Sequence, residues 1–170
     1  MTELPGLLAV LLVGVLVLAV LLAAWCSWTA GRLDRLHLRC EAADAALRSQ
    51  LQRRSAVAVE LAGTGLSDPA SALLLLEAAH GAREATGPAT WQAESELTRT
   101  LHLVDLPPDS ADLLAAELRD AAWKVTVARR IHNGVAANTL ALRSRRRVRW
   151  FHLAGHAELP AMIDFDDAVP

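Results

Sequence analysis

The chain has 170 residues, enough for one domain of ordinary size plus an appendage, and its formal net charge of −2 excludes a general polyanion binder. Its 17 basic residues include a single lysine, Lys124, and its aromatic anchors are five Trp and two Phe, with no Tyr. Two isolated cysteines, Cys26 and Cys40, without a CxxC pair, exclude a disulfide scaffold and a zinc ribbon.

Leu7 to Trp28 carries no charge and is mostly Leu, Val and Ala. About 22 residues at ~1.5 Å rise span ~33 Å, the thickness of a hydrocarbon core. A cleaved signal peptide wants a basic start and a shorter apolar run. Here the start, Met1-Thr2-Glu3, is acidic. Bulky Trp25 before Cys26 argues against a lipoprotein cleavage site. The reading is a retained membrane helix, residues 1–30, with Trp25 and Trp28 at the interface. Arg32, Arg35 and Arg39 come directly after it, so the body of the chain is expected in the cytoplasm and the N-terminus outside.

The body, residues 31–158, reads as helices throughout. From Arg32 to about Ala62, Leu36, Cys40, Ala43, Leu47, Leu51, Ala58 and Leu61 recur at spacings of three, four and seven, one amphipathic helix continuing the membrane helix. Gly63-Thr64-Gly65 ends it. Ser67-Asp68-Pro69 opens a second helix running to about Thr86, and Gly87-Pro88 breaks the chain. A third helix, about Ala89 to Val104, carries Trp91, Leu97, Leu101 and Val104. After Pro107-Pro108, Asp109-Ser110 caps a fourth, with Leu114, Leu118, Ala121, Val125, Ala128, Val135 and Leu142 on its apolar face, extending to about Trp150. An irregular acidic tail, residues 159–170, closes the chain with Asp164, Asp166 and Asp167. The fold expected is all-α: a transmembrane helix followed by an antiparallel four-helix bundle with long first and last helices. At ~45–50 Å and ~60 Å those two outrun the second and third, at ~20–27 Å, so the end of the fourth should point at the membrane.

One N-terminal membrane helix, the long helix with EAADAALRSQLQRRSAVAVEL, and the late ARRIHNGVAANTLALRSRRRVRW followed by FHLAGHAELPAMIDFDD together resemble the LemA family of bacterial membrane-anchored helical proteins. Ala128-Arg129-Arg130 and Asn133 match the family's last-helix motif closely. A second Tyr-Asn pair found in many members is replaced by Thr139-Leu140. The resemblance implies a cytoplasm-facing four-helix bundle and carries no enzymatic activity with it.

Arg129, Arg130, His132 and Asn133, with Asn138, are the polar residues of that motif. The length count places His132 and Asn133 near the turn between the second and third helices, where they would satisfy Gly87 or nearby backbone groups and fix register. A ligand or partner site is the alternative. Arg143, Arg145, Arg146, Arg147 and Arg149 lie beside Trp150 at the end expected to face the bilayer, suited to anionic lipid or a partner, or simply a solvated basic helix end. Nothing provides specific nucleic-acid readout. His152 and His156 have the spacing of a metal pair without a fixed third ligand, and Glu77-Ala-Ala-His80 occurs once where a di-metal carboxylate bundle needs two copies. Glu41, Asp44, Glu60, Glu77, Glu94 and Glu96 are expected on the solvated face. No cofactor is implied. The function expected is a non-catalytic, membrane-anchored scaffold or interaction protein whose partners are the bilayer and itself or another membrane protein. An accessory subunit of a membrane enzyme or transporter, or an anionic-lipid organiser, are the alternatives.

Overall fold

The computed structural model describes residues 3–64, 68–106, 108, 112–145 and 159–170. They form four helices and, among the described residues, no strand: α1 (Glu3–Thr64), α2 (Pro69–Glu84), α3 (Ala89–Leu103) and α4 (Leu113–Arg143). The first and last are the long ones, as the periodicity predicts. α1 is continuous for 62 residues, so the membrane-length run and the amphipathic run belong to one helix. α4 ends at Arg143 rather than near Trp150, closed by a hydrogen bond from Ser144 N–H to the Leu140 carbonyl.

Local chemistry accounts for the helix ends. Asp68 sits in extended backbone and its carboxylate accepts from the N–H groups of Ala70 and Ser71, with Pro69 opening the first turn. The Ser71 hydroxyl, then the Ser71 and Ala70 amides, hold the Asp68 carboxyl below its ordinary range. Gly87 adopts φ +61°, a left-handed conformation that strains any residue with a Cβ, and so lets α2 turn into α3. Asp112 accepts from Leu114 N–H at the start of α4; Asp109 and Ser110, expected to cap this helix, lie outside the described residues.

The chain divides into two compact units. The larger holds Cys40–Ala137 and Ala161–Pro170. Its core draws on all four helices: Val57, Ala58 and Leu61 of α1, Leu75, Ala79 and Ala82 of α2, Leu97 and Leu101 of α3, and Leu118 of α4. A second cluster joins Leu47 and Leu51 of α1, Val125 of α4, and Ile163 and Phe165 from the C-terminal segment. α1 and α4 run antiparallel here, since Arg53 pairs with Glu117 at 2.9 Å while the lower-numbered Leu47 and Leu51 meet Val125. The exposed Arg53–Glu117 pair contributes at most ~1 kcal/mol; the apolar clusters hold the unit.

The smaller unit holds Met1–Arg39 and Asn138–Pro160. Leu33, Leu36 and Leu142 pack together, and the Arg143 guanidinium lies 3.3 Å from His37 Nε2. Nearer the N-terminus the large apolar side chains lie open, Val10 at 72% and Leu16 at 64% exposure. α1 is the one helix long and apolar enough to cross a membrane among the described residues.

Leu97 is fully buried in the four-helix core. Leu97→Ala should destabilise the full-length chain by ~2–5 kcal/mol, read as a lower urea midpoint with unchanged slope in mild detergent.

Candidate functional site

Polar residues at helical spacing make two stripes in the larger unit. On α4, Thr126, Arg129 and Asn133 are separated by three and four residues; on α3, Trp91, Ser95 and Thr98 are separated by four and three. These spacings put each trio on one helix face. Between the two faces lies the C-terminal segment.

That segment forms no helix or strand of its own. Ile163 and Phe165 are buried and Asp167 is half-buried, whereas Met162, Asp164 and Asp166 are exposed. The inward–outward alternation is that of an extended strand. With no neighbouring strand, its backbone groups must find other partners. Asn133 brackets Ile163: its amide nitrogen donates to the Ile163 carbonyl at 2.8 Å and its amide oxygen accepts from the Ile163 N–H at 2.9 Å. Asp166 N–H donates to the Ser95 hydroxyl at 3.1 Å, and the Thr98 hydroxyl donates to the Asp166 carbonyl at 2.8 Å. The Thr126 hydroxyl donates to the Asp167 carbonyl at 2.8 Å.

Side chains add the apolar and charged contacts. Phe165 lies between Trp91, stacked at 5.7 Å between centroids and 11° between planes, and the Arg129 guanidinium, 5.6 Å from the ring centroid. Arg129 also grips Asp167 with two bonds of 2.8 Å, from Nε and Nη2. The Asp167 hydrogen bond raises the Arg129 pKa above its ordinary value, so the guanidinium stays charged at any pH the fold tolerates. Burying Ile163 and Phe165 contributes about 1.5–3 kcal/mol each, and each neutral hydrogen bond about 0.5–1.5. Fixing each backbone residue costs about 1–2 kcal/mol. The ordering cost offsets much of these gains, to which the charged Arg129–Asp167 bonds add.

Beneath the segment, Arg54 of α1 and Glu94 of α3 form an ion pair with side-chain exposures of 0% and 3%. Arg54 Nη1 donates to the Thr98 hydroxyl at 3.0 Å and Nη2 to the Glu94 carboxylate and carbonyl. Burial pushes the Glu94 carboxyl above its ordinary range, and the Arg54 charge opposes that. Placing Glu94 among the solvated carboxylates is thus corrected: its position on α3 faces α1, and only a fixed guanidinium there makes its burial tolerable.

The motif residues separate. Arg129 and Asn133 hold the segment. Asn133 therefore satisfies Ile163 rather than Gly87, because its helix face is turned to the C-terminal segment. His132 is buried with its Nδ1 3.4 Å from the Asn133 amide oxygen. Arg130 and Asn138 are exposed. Of the arginine cluster, Arg143 is half-buried near His37 and Arg145 is exposed; Arg146, Arg147, Arg149 and Trp150, with His152 and His156, lie outside the described residues. Glu77 and His80 are both exposed. Arg54, Ser95, Thr98 and Thr126 join the site without a signal in the sequence, and of the expected irregular tail, residues 159–170, Ala161–Pro170 belongs to the larger unit. The alternation Ile163-Asp164-Phe165-Asp166 was the available signal.

Removing one partner of the buried pair strands the other charge. Glu94→Ala should cost ~3–5 kcal/mol in urea unfolding, whereas Arg54→Met with Glu94→Leu should be near neutral or stabilising. Because the folded carboxyl is raised, its contribution is full below the ordinary glutamate value and is lost as pH rises through the raised one. Wild-type stability relative to Glu94→Gln should accordingly fall with rising pH; a flat difference contradicts the shift. Asn133→Ala should free the segment while leaving the helices intact, seen as faster proteolysis C-terminal to residue 159 with unchanged far-ultraviolet circular dichroism.

Comparison of this chain with family models, with curated proteins and with solved structures finds no match.

Proposed function

We propose that the chain is a membrane-anchored helical interaction protein of the LemA type, with a cytoplasmic body and no chemistry of its own. The observation that carries this reading is α1. Its N-terminal part exposes a contiguous run of Leu and Val, far more apolar surface than a water-facing helix tolerates, while the same helix continues into a packed, charged bundle. Arg32, Arg35 and Arg39 directly after the apolar run favour the cytoplasmic side for the bundle.

Within the bundle, the polar side chains that converge most closely are engaged with the chain itself: Arg54 with Glu94, Arg129 with Asp167, and Asn133 with Ile163. Outward, α4 presents Trp123 at 56% and Ile131 at 57% exposure, two turns apart and with half-buried Val127 between them. Apolar side chains of this size open to water are the ordinary material of protein contacts.

Two measurements test the reading. A reporter fused after Pro170 should be active in the cytoplasm, and activity only outside reverses the topology. A photo-crosslinker at Trp123 or Ile131, in membranes at native expression, should yield one discrete product; an identical crosslinker at exposed Glu60 should yield none. A stoichiometric membrane enzyme as the product makes the chain its accessory subunit. No product from either position removes the α4 face as an interaction surface.

A further inference from the structure

The helices and the C-terminal segment are related as a receptor to a bound peptide. The four-helix core of Val57, Ala58, Leu61, Leu75, Leu97 and Leu118 contains no residue of the segment. Ile163 and Phe165 belong to a separate cluster laid against α1, α3 and α4. The contacts are of the kind that recognises extended peptides: side chains address main-chain N–H and C=O groups at Ile163, Asp166 and Asp167, while alternate side chains enter two places of defined chemistry. One is the Trp91–Arg129 sandwich around Phe165, and the other is the two-bond Arg129 grip on Asp167. Asp164, wholly exposed at the outer edge of the segment, lies 3.6 Å from Arg129 Nη1, a solvent-screened contact that adds little.

We propose that the groove lined by Trp91, Ser95, Thr98, Thr126, Arg129 and Asn133 is a recognition site for an extended acidic segment of the pattern aliphatic–Asp–Phe–Asp–Asp. The chain's own residues 163–167 occupy it reversibly, and the same segment of a second copy is its ligand in trans. The second copy is the occupant because the fit is to this sequence. Phe165 matches the sandwich, Asp167 matches the guanidinium fork, and every copy carries both. The assignment deepens the interaction reading above and rests on it. Its failure is separable, because the probe is a soluble peptide that needs no membrane.

The test uses full-length chains in mild detergent and a labelled peptide of sequence AMIDFDDAVP. In a tail-disabled chain, Phe165→Ala with Asp167→Ala, the resident competitor is gone. The peptide should bind it at least tenfold more tightly than it binds wild type. Adding Arg129→Ala and Asn133→Ala should abolish that binding. Mixing the tail-disabled chain with a groove-disabled chain, Arg129→Ala with Asn133→Ala, should give a one-to-one association that neither forms alone. In wild type, hydrogen exchange across Ala161–Pro170 should be at least a hundredfold faster than in the buried turns of α3. A folded tail-disabled chain that ignores the peptide overturns the proposal. So does a tail-disabled chain that cannot fold, or equal exchange protection of the segment and α3, since the segment is then a fixed part of the bundle. Peptide binding without association between the two chains overturns the second copy as ligand and leaves the groove to another protein's segment.

Discussion

A guanidinium with no exposed surface sets the conditions for the larger unit. Arg54 points from α1 into the interior, and an unpaired charge there is intolerable. Glu94 answers the charge and the Thr98 hydroxyl accepts a further N–H; the hydroxyl oxygen lies 2.8 Å from the Asp166 carbonyl oxygen, with the Glu94 carbonyl at 3.1 Å as the competing acceptor for its single proton. One side chain thus fixes the register of α1 against α3 and, through a single hydroxyl, reaches the extended segment. The pair adds little net stability against a well-packed apolar replacement. Its effect is to make one arrangement of three chain segments much better than its neighbours, since a shifted register leaves a charge or a carbonyl unanswered.

The segment itself shows how an extended chain is accommodated without a sheet. Helices have no free backbone groups along their length, so every bond to the segment comes from a side chain. Small hydroxyls and an amide supply them at helical intervals, and the aromatic and guanidinium groups fill the spaces between. The order of contacts, Ile163 at Asn133 and Asp167 at Thr126, runs the segment antiparallel to α4. This is where the polar motif of α4 acquires its meaning. Arg129 and Asn133 are one turn apart and share the segment, whereas Arg130 between them faces water.

The helices were legible because their signals are local. Apolar spacing, Asp68 before Pro69, and Gly87 before Pro88 each act within a turn of where they are read. Helix ends were less so: α4 stops at Arg143, one residue after the last apolar position of its face, and the arginine run beyond carries no stop signal. The site was legible only in part. Asn133 and Arg129 stood out as polar residues on a packed helix, but their partner lies some thirty-odd residues away along the chain, and spacing along a helix says nothing of that distance. Glu94 carries the same letter as the solvated carboxylates around it; only Arg54, on another helix, makes it different. The Ile163–Phe165 alternation was present but short, and the neighbouring aspartates gave the tail the composition of a solvated end.

Asn133 addresses the main-chain N–H and C=O of Ile163, which nineteen of the twenty residue types would offer equally well; only proline lacks the N–H. The clasp is therefore blind to identity at that point and strict about backbone shape. Position 163 can drift among aliphatic residues without the amide noticing, while Phe165 and Asp167, read by ring and charge, cannot. The groove thus makes two kinds of demand along five residues: a buried position that asks for an aliphatic side chain and a free N–H, followed by two that Arg129 reads by ring and by charge.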